Sequence, residues 1–227
     1  TTGGLYSVND TWDFTIIAMS TMSSNVSTED WDVDSGAQGN QFIADFGLNS
    51  NSLQSNDFTF ATANTNVSAH YKFDQKWRWV IGGEFAYKTF KRSNFDTFSE
   101  TFPTDTVVEE SVSDLTLLSG VAYESGNIAL GQQQLSLKFA IGLPVWNETT
   151  NTRYQGVAFT NQRGFDLELD AAYYIPVYSG LSLGGFINYR ISDRNGMNIN
   201  DGSVSLELPE NSLSIIRVGL GAKWNFN

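Results

Sequence analysis

The chain contains a single histidine, His70, set in Ala69-His70-Tyr71. A histidine can serve as general base to a serine when a carboxylate orients it, which would be hydrolytic chemistry. Ser68 and Ser113 qualify for the nucleophile by residue type alone, and serine is abundant here. The simpler reading is a histidine hydrogen-bonded to its neighbours, so no catalytic residue is assigned. With one His and no Cys, only carboxylates remain as metal ligands. Asp30, Asp32 and Asp34 have the spacing that opens a calcium loop, but the sixth position is Ser35 and the twelfth Gln41. The signal is weak, and no metal site is assigned. Gly82-Gly83 and Gly184-Gly185 fall inside strand-like segments rather than in phosphate-binding loops, so no cofactor is expected.

A third set of chemically capable residues recurs at every second position. It comprises Asp13, Lys72, Arg78, Glu84, Lys88, Lys138, Asp166, Glu168, Asp170, Arg190, Arg217 and Lys223. Seven are basic and five acidic, near balance in a chain of 227 residues with 13 basic and 25 acidic side chains and a net charge of −12. The acidic total argues against a nucleic-acid partner, because phosphate binding needs clustered Lys and Arg. The length suits a single domain with a real core. No apolar run reaches the ~18 residues a membrane helix needs. Aromatics at 14%, with 20 Gly and 4 Pro, favour strands. The chain opens at Thr1 without a Met or a charged-then-apolar leader, which suggests a processed product.

Eight segments carry the period-two alternation of strands, at 12–18, 58–73, 77–88, 114–123, 134–143, 164–175, 180–192 and 216–226. The last is the clearest: Ile216, Val218, Leu220, Ala222, Trp224 and Phe226 oppose Arg217, Gly219, Gly221, Lys223 and Asn225. No helical periodicity competes over this length, so the fold is expected to be all-β. Connections alternate between short turns at 74–76, 124–127 and 176–180 and long polar stretches near 23–57, 92–112, 144–163 and 193–212. This describes a single up-and-down antiparallel barrel of eight strands, with four long loops at one end and both termini at the other. Phe42, Ala44, Phe46 and Leu48 alternate within the first loop. They are assigned to that loop as an apolar piece over the mouth, and a ten-stranded barrel is the alternative.

A soluble barrel keeps apolar residues inside, whereas a membrane barrel turns them to lipid. Three features favour the membrane form. The polar face mixes Gly, Ser, Ala and Asn with few charges, as a narrow lumen requires. Trp12, Tyr71, Trp77, Trp79, Tyr123, Tyr173, Trp224 and Phe226 stand near segment ends, where a bilayer boundary places aromatic girdles. Long loops alternate with short turns, as in outer-membrane barrels.

The stretch Tyr71-Lys72-Phe73-Asp74-Gln75-Lys76-Trp77-Arg78-Trp79, with Ile81-Gly82-Gly83-Glu84-Phe85, resembles a strand, periplasmic turn and strand of small bacterial outer-membrane proteins. Val218-Gly219-Leu220-Gly221-Ala222-Lys223-Trp224-Asn225-Phe226 resembles their last strand, although Asn227 follows the final aromatic. The likeness is to a class, the OmpA-, OmpX- and OmpW-like barrels, over residues 58–227. It implies a Gram-negative outer-membrane location, contact with membrane lipid and lipopolysaccharide, and recognition of the last strand by the barrel-assembly machinery.

In such a barrel the twelve alternating charges enter the lumen. They should be paired there, since an isolated buried ion is costly. Eight strands leave a lumen that side chains fill, so a salt-bridged plug is expected rather than an open path. The acidic excess falls in the loops. The leading expectation is a non-enzymatic outer-membrane protein presenting acidic loops for surface contact or envelope integrity, its surface partner unspecified. The alternatives are a transporter of small or hydrophobic solutes, or a lipid-modifying enzyme around His70.

Overall fold

The computed structural model describes residues 1–21, 27–33, 53–97, 107–126, 130–152, 156–201, 204–208 and 210–226. Among the described residues thirteen strands are found: β1 (Thr2–Ser7), β2 (Trp12–Ser20), β3 (Ser27–Val33), β4 (Leu53–Lys72), β5 (Trp77–Thr97), β6 (Val107–Ser125), β7 (Gln134–Asn151), β8 (Ala158–Thr160), β9 (Gly164–Tyr178), β10 (Leu181–Arg194), β11 (Met197–Asp201), β12 (Val204–Leu208) and β13 (Asn211–Trp224). No α-helix occurs among the described residues.

One antiparallel sheet runs β1-β2-β4-β5-β6-β7-β9-β10-β13 and curls into a half-barrel. All eight expected segments lie on this nine-strand path, and β1 is the addition. Short turns are locally encoded. The Asn9 side chain accepts hydrogen bonds from the amides of Thr11 and Trp12 at 2.8 Å, and Asp74 accepts one from the Lys76 amide at 3.0 Å. Gly180 takes a positive φ of 75° in the β9–β10 turn, where a Cβ would be strained.

The expected long loops are shorter than the sequence suggests, because the strands run on into them. β3 and the start of β4 lie within 23–57, the ends of β5 and β6 within 92–112, the end of β7 and all of β8 within 144–163, and the β11–β12 hairpin within 193–212. Alternation fades there because polar residues occupy both faces of these outer stretches, as at Glu109 and Glu110. β7 also shifts register against β6 at Leu115/Thr116, so Val145 and Trp146 are both exposed and Asn147 returns to the concave side. Phe42, Ala44, Phe46 and Leu48 lie outside the described residues.

Directly opposed residues trace a slanted path across the sheet. It starts at Trp12 and passes through Tyr71, Trp79, Val121, Phe139, Leu169 and Tyr189 to Ile216. The path leaves β2 at its first residue and arrives on β13 eight residues before Trp224, its last. Such stagger is the tilt that curls a sheet toward a barrel.

Polarity is inverted relative to a water-soluble core. Buried polar side chains outnumber buried apolar ones, and Asp13, Asp114, Asp166, Thr116 and Asn147 are among the most deeply covered. The convex face carries exposed Phe14, Ile16, Val67, Ile81, Phe85, Leu117, Phe139, Ile141, Leu169 and Ile187. Soluble monomers rarely expose so continuous an apolar surface.

Glycine sets how closely strands approach. A Cβ on Gly120 would overlap the Phe139 carbonyl and sit 2.7 Å from Ala140 Cα, whereas one on Gly83 meets nothing nearer than 3.8 Å. Gly120→Val should therefore lower stability by about 1–3 kcal/mol through overpacking, while Gly83→Ala leaves it near wild type. Urea unfolding in detergent, followed by tryptophan fluorescence, checks both.

Candidate functional site

The twelve alternating charges sit on the concave face, where successive positions of each strand bring them inward. Near the short-turn end, Asp13 lies 2.7 Å from Lys72 and 3.4 Å from Arg78, and Arg78 reaches Glu124 at 2.9 Å. Lys138 on β7 bridges Glu168 at 3.1 Å and Asp170 at 2.8 Å, both on β9.

A larger group spans the curl. Arg190 on β10 forms an ion pair with Glu84 on β5, four strands away along the sheet, and a second with Asp166 at 3.2 Å. Two inward positions further along β10, Arg194 meets Asp166 at 2.9 Å and Asp114 at 3.4 Å. Lys88 completes the set 3.0 Å from Asp114. Thr116 donates to Asp166 at 3.2 Å. The group therefore joins β5, β6, β9 and β10 through charge-assisted hydrogen bonds in a covered interior.

Arg217 and Lys223, both on β13, differ from the other cations. Arg217 donates to the Asn188 side-chain oxygen at 2.9 Å. Lys223 donates to that of Gln134 at 3.0 Å and stands 4.1 Å from the centre of the Tyr174 ring. Among the described residues neither makes an ion pair with a carboxylate.

Asp114, Arg194 and Glu124 belong to this ionic system but were absent from the sequence-derived set. Each falls at the boundary between an alternating segment and a connection. The signal was available on β10, where Asn188, Arg190, Ser192 and Arg194 continue one polar row.

His70 is also concave. Its Nε2 lies 3.1 Å from Thr15 Oγ1 and 3.4 Å from Ser68 Oγ, and Ser68 donates to Asn66 Oδ1 at 3.2 Å. Its near partners are hydroxyls, and the serine beside it is held by an amide rather than by a carboxylate. Ser113 follows Val112 on β6, on the face opposite Asp114. Asp30 and Asp32 fall in strand β3, opposite Asn56 and Gln54, rather than in a metal-binding turn, and Asp34 lies outside the described residues.

Of the aromatic set, Trp12, Tyr71, Trp77, Trp79, Tyr173, Trp224 and Phe226 are exposed on the convex side and Tyr123 is half-buried. Trp12 packs on Tyr71 and Trp77 on Tyr123, each with ring centres 5.1 Å apart. Trp79 donates its indole N–H to Ser119 at 3.0 Å, and the Tyr173 hydroxyl bonds Gln133. These rings cluster toward the short-turn end.

No family model matches this chain, and no curated protein matches it.

Removing Arg190 leaves the buried Glu84 carboxylate with only the Asn64 amide, while Asp166 keeps Arg194. Arg190→Met should destabilise the fold by about 3–5 kcal/mol, and adding Glu84→Met should restore much of that loss. Denaturation midpoints of the single and double variants decide it; an additive loss would rule out the cross-sheet pair.

Proposed function

We propose that this chain is a non-enzymatic outer-membrane β-barrel whose interior is closed by ion pairs and which presents its long-connection end for surface contact or envelope integrity. One observation carries the reading: a charged, ion-paired interior beneath a continuous apolar exterior. In water that distribution is unfavourable on both faces. In a bilayer it is the stable one, since lipid covers the apolar belt and the lumen retains the polar groups.

Further features support it. Trp and Tyr gathered toward the short-turn end suit a membrane boundary, with apolar ring and polar tip both accommodated. Exposed residues of the convex face would contact membrane lipid and lipopolysaccharide, and β13 would be the strand read by the assembly machinery. A tilted crossing takes about 9–11 residues. β4, β5, β6 and β7 have 20, 21, 19 and 18, so they project well past the belt at the end opposite the short turns. That projection, with the acidic Glu109 and Glu110 on β6, is the surface offered to a partner.

The Arg190–Glu84 contact disfavours the transport alternative, because side chains from opposite walls meet where a solute would pass. Detergent-refolded protein should migrate differently before and after boiling, float with lipid vesicles, and give no unitary conductance step in a planar bilayer. A defined step would transfer the assignment to transport. Solubility without detergent, with no band shift, would remove the membrane reading altogether.

A further inference from the structure

Among the described residues the sheet has two unpaired edges, β1 and β13. The inference drawn from them rests on the membrane reading, because an open edge facing lipid leaves amide and carbonyl groups with no partner. We propose that β13 pairs with β2 and displaces β1, closing an eight-stranded barrel in which Trp224 stands opposite Trp12 and Lys223 opposite Asp13.

Strand direction gives the first argument. Nine strands alternate along the path, so β1 and β13 run the same way and could close only as a parallel ladder. β2 and β13 run oppositely and can close as the rest of the sheet is built. Stagger gives the second. The path from Trp12 reaches β13 at Ile216, eight residues short of Trp224. Advancing by the same eight residues on β2 puts Ser20 opposite Ile216 and Trp12 opposite Trp224, a stagger of eight on eight strands, which is the geometry of a compact, side-chain-filled barrel.

Chemistry selects that register. Lys223 has an amide and a ring for neighbours, and Asp13 is a buried carboxylate on the concave face of β2. The register sets them side by side and places Gly221 and Gly219 opposite Thr15 and Ile17. Sliding by two residues in either direction would set Lys223 opposite Thr15 or Thr11. Outward residues agree as well, with Leu220 meeting Ile16 and Val218 meeting Ala18.

β1 fits its present place poorly. It puts Leu5 on the polar concave face opposite Thr15, and all six of its residues are exposed. Leu220 on β13 is 92% exposed, against 49% for Ile141 on a strand paired on both sides, so the free edge leaves apolar area that pairing would cover. β1 thus acts as a cover for β2 that keeps its edge from other chains until β13 arrives.

The chain has no cysteine, so crosslinking reads the seam cleanly. Ala18 now faces Thr2, and in the closed barrel it would face Val218. In this chain refolded into phosphatidylcholine vesicles and treated with copper phenanthroline as oxidant, Ala18→Cys with Val218→Cys should convert to a disulfide-bonded monomer, while Thr2→Cys with Ala18→Cys stays reduced. Ile16→Cys with Leu220→Cys tests the same register should the first pair fold badly. Crosslinking of the Thr2 pair alone, in protein that floats with vesicles and shows the heat-dependent band, overturns the exchange and leaves the membrane reading standing. A disulfide-linked dimer overturns it in favour of closure by a second copy. Loss of flotation and of the band shift in the unmodified chain would end both.

Discussion

The Arg190 guanidinium sits between Glu84 on one wall of the curl and Asp166 on the other. Removing any of these charges from water is costly, and only mutual pairing offsets it. The sheet must curl until β5 and β10 come within reach of one side chain. That requirement fixes which face turns inward, and the opposite faces of the same strands are left to the apolar residues. Arg194, Asp114 and Lys88 extend the constraint upward, and Asp13, Lys72 and Arg78 repeat it below. Backbone ladders hold neighbouring strands together, while Arg190–Glu84, Arg194–Asp114 and Arg78–Asp13 tie strands that are not neighbours.

Curling also demands space. Gly120 lets β6 approach β7 closely, and Gly142 lies where any side chain would strike Thr116, Leu118 and Asp166. At Gly219 and Gly221 the rings of Phe186 and Tyr174 take the space that a Cβ would fill. A hydrophobic interior of similar volume would hold the sheet together too, but it would leave the convex face without a reason to be apolar.

Much of this was legible in the sequence because alternation is strict wherever the two sides of a strand meet different media. Segments 134–143 and 216–226 obey it at nearly every position, and they define the inward row down to Lys138, Arg217 and Lys223. Legibility ended where the two media became alike. The outer parts of β4 through β7 carry Thr, Ser, Asn and charged residues on both faces, so they show little period. β1 escaped notice for a different reason: Gly3 and Gly4 have no side chain to alternate, and Leu5 falls on the polar side. Asp114 and Arg194 were lost at segment margins, where one charged residue could belong equally to a strand or to a loop. The bulge on β7 reversed the sides at Val145 and hid the continuation to Asn147.

The strands also end unevenly. β4 to β7 continue as one broad wall, flanked by β3 and β8, while β10 ends at Arg194, β13 begins at Asn211, and the separate β11–β12 ribbon lies between them in the chain. Among the described residues this rim has no rotational symmetry about the axis of the curl. In the bilayer of the proposed reading such a body would have a front and a back, a tall wall at β4 to β7 and a lower one at β10 and β13. Its lateral encounters would then depend on heading, so crowding would orient the molecule without any specific adhesive contact.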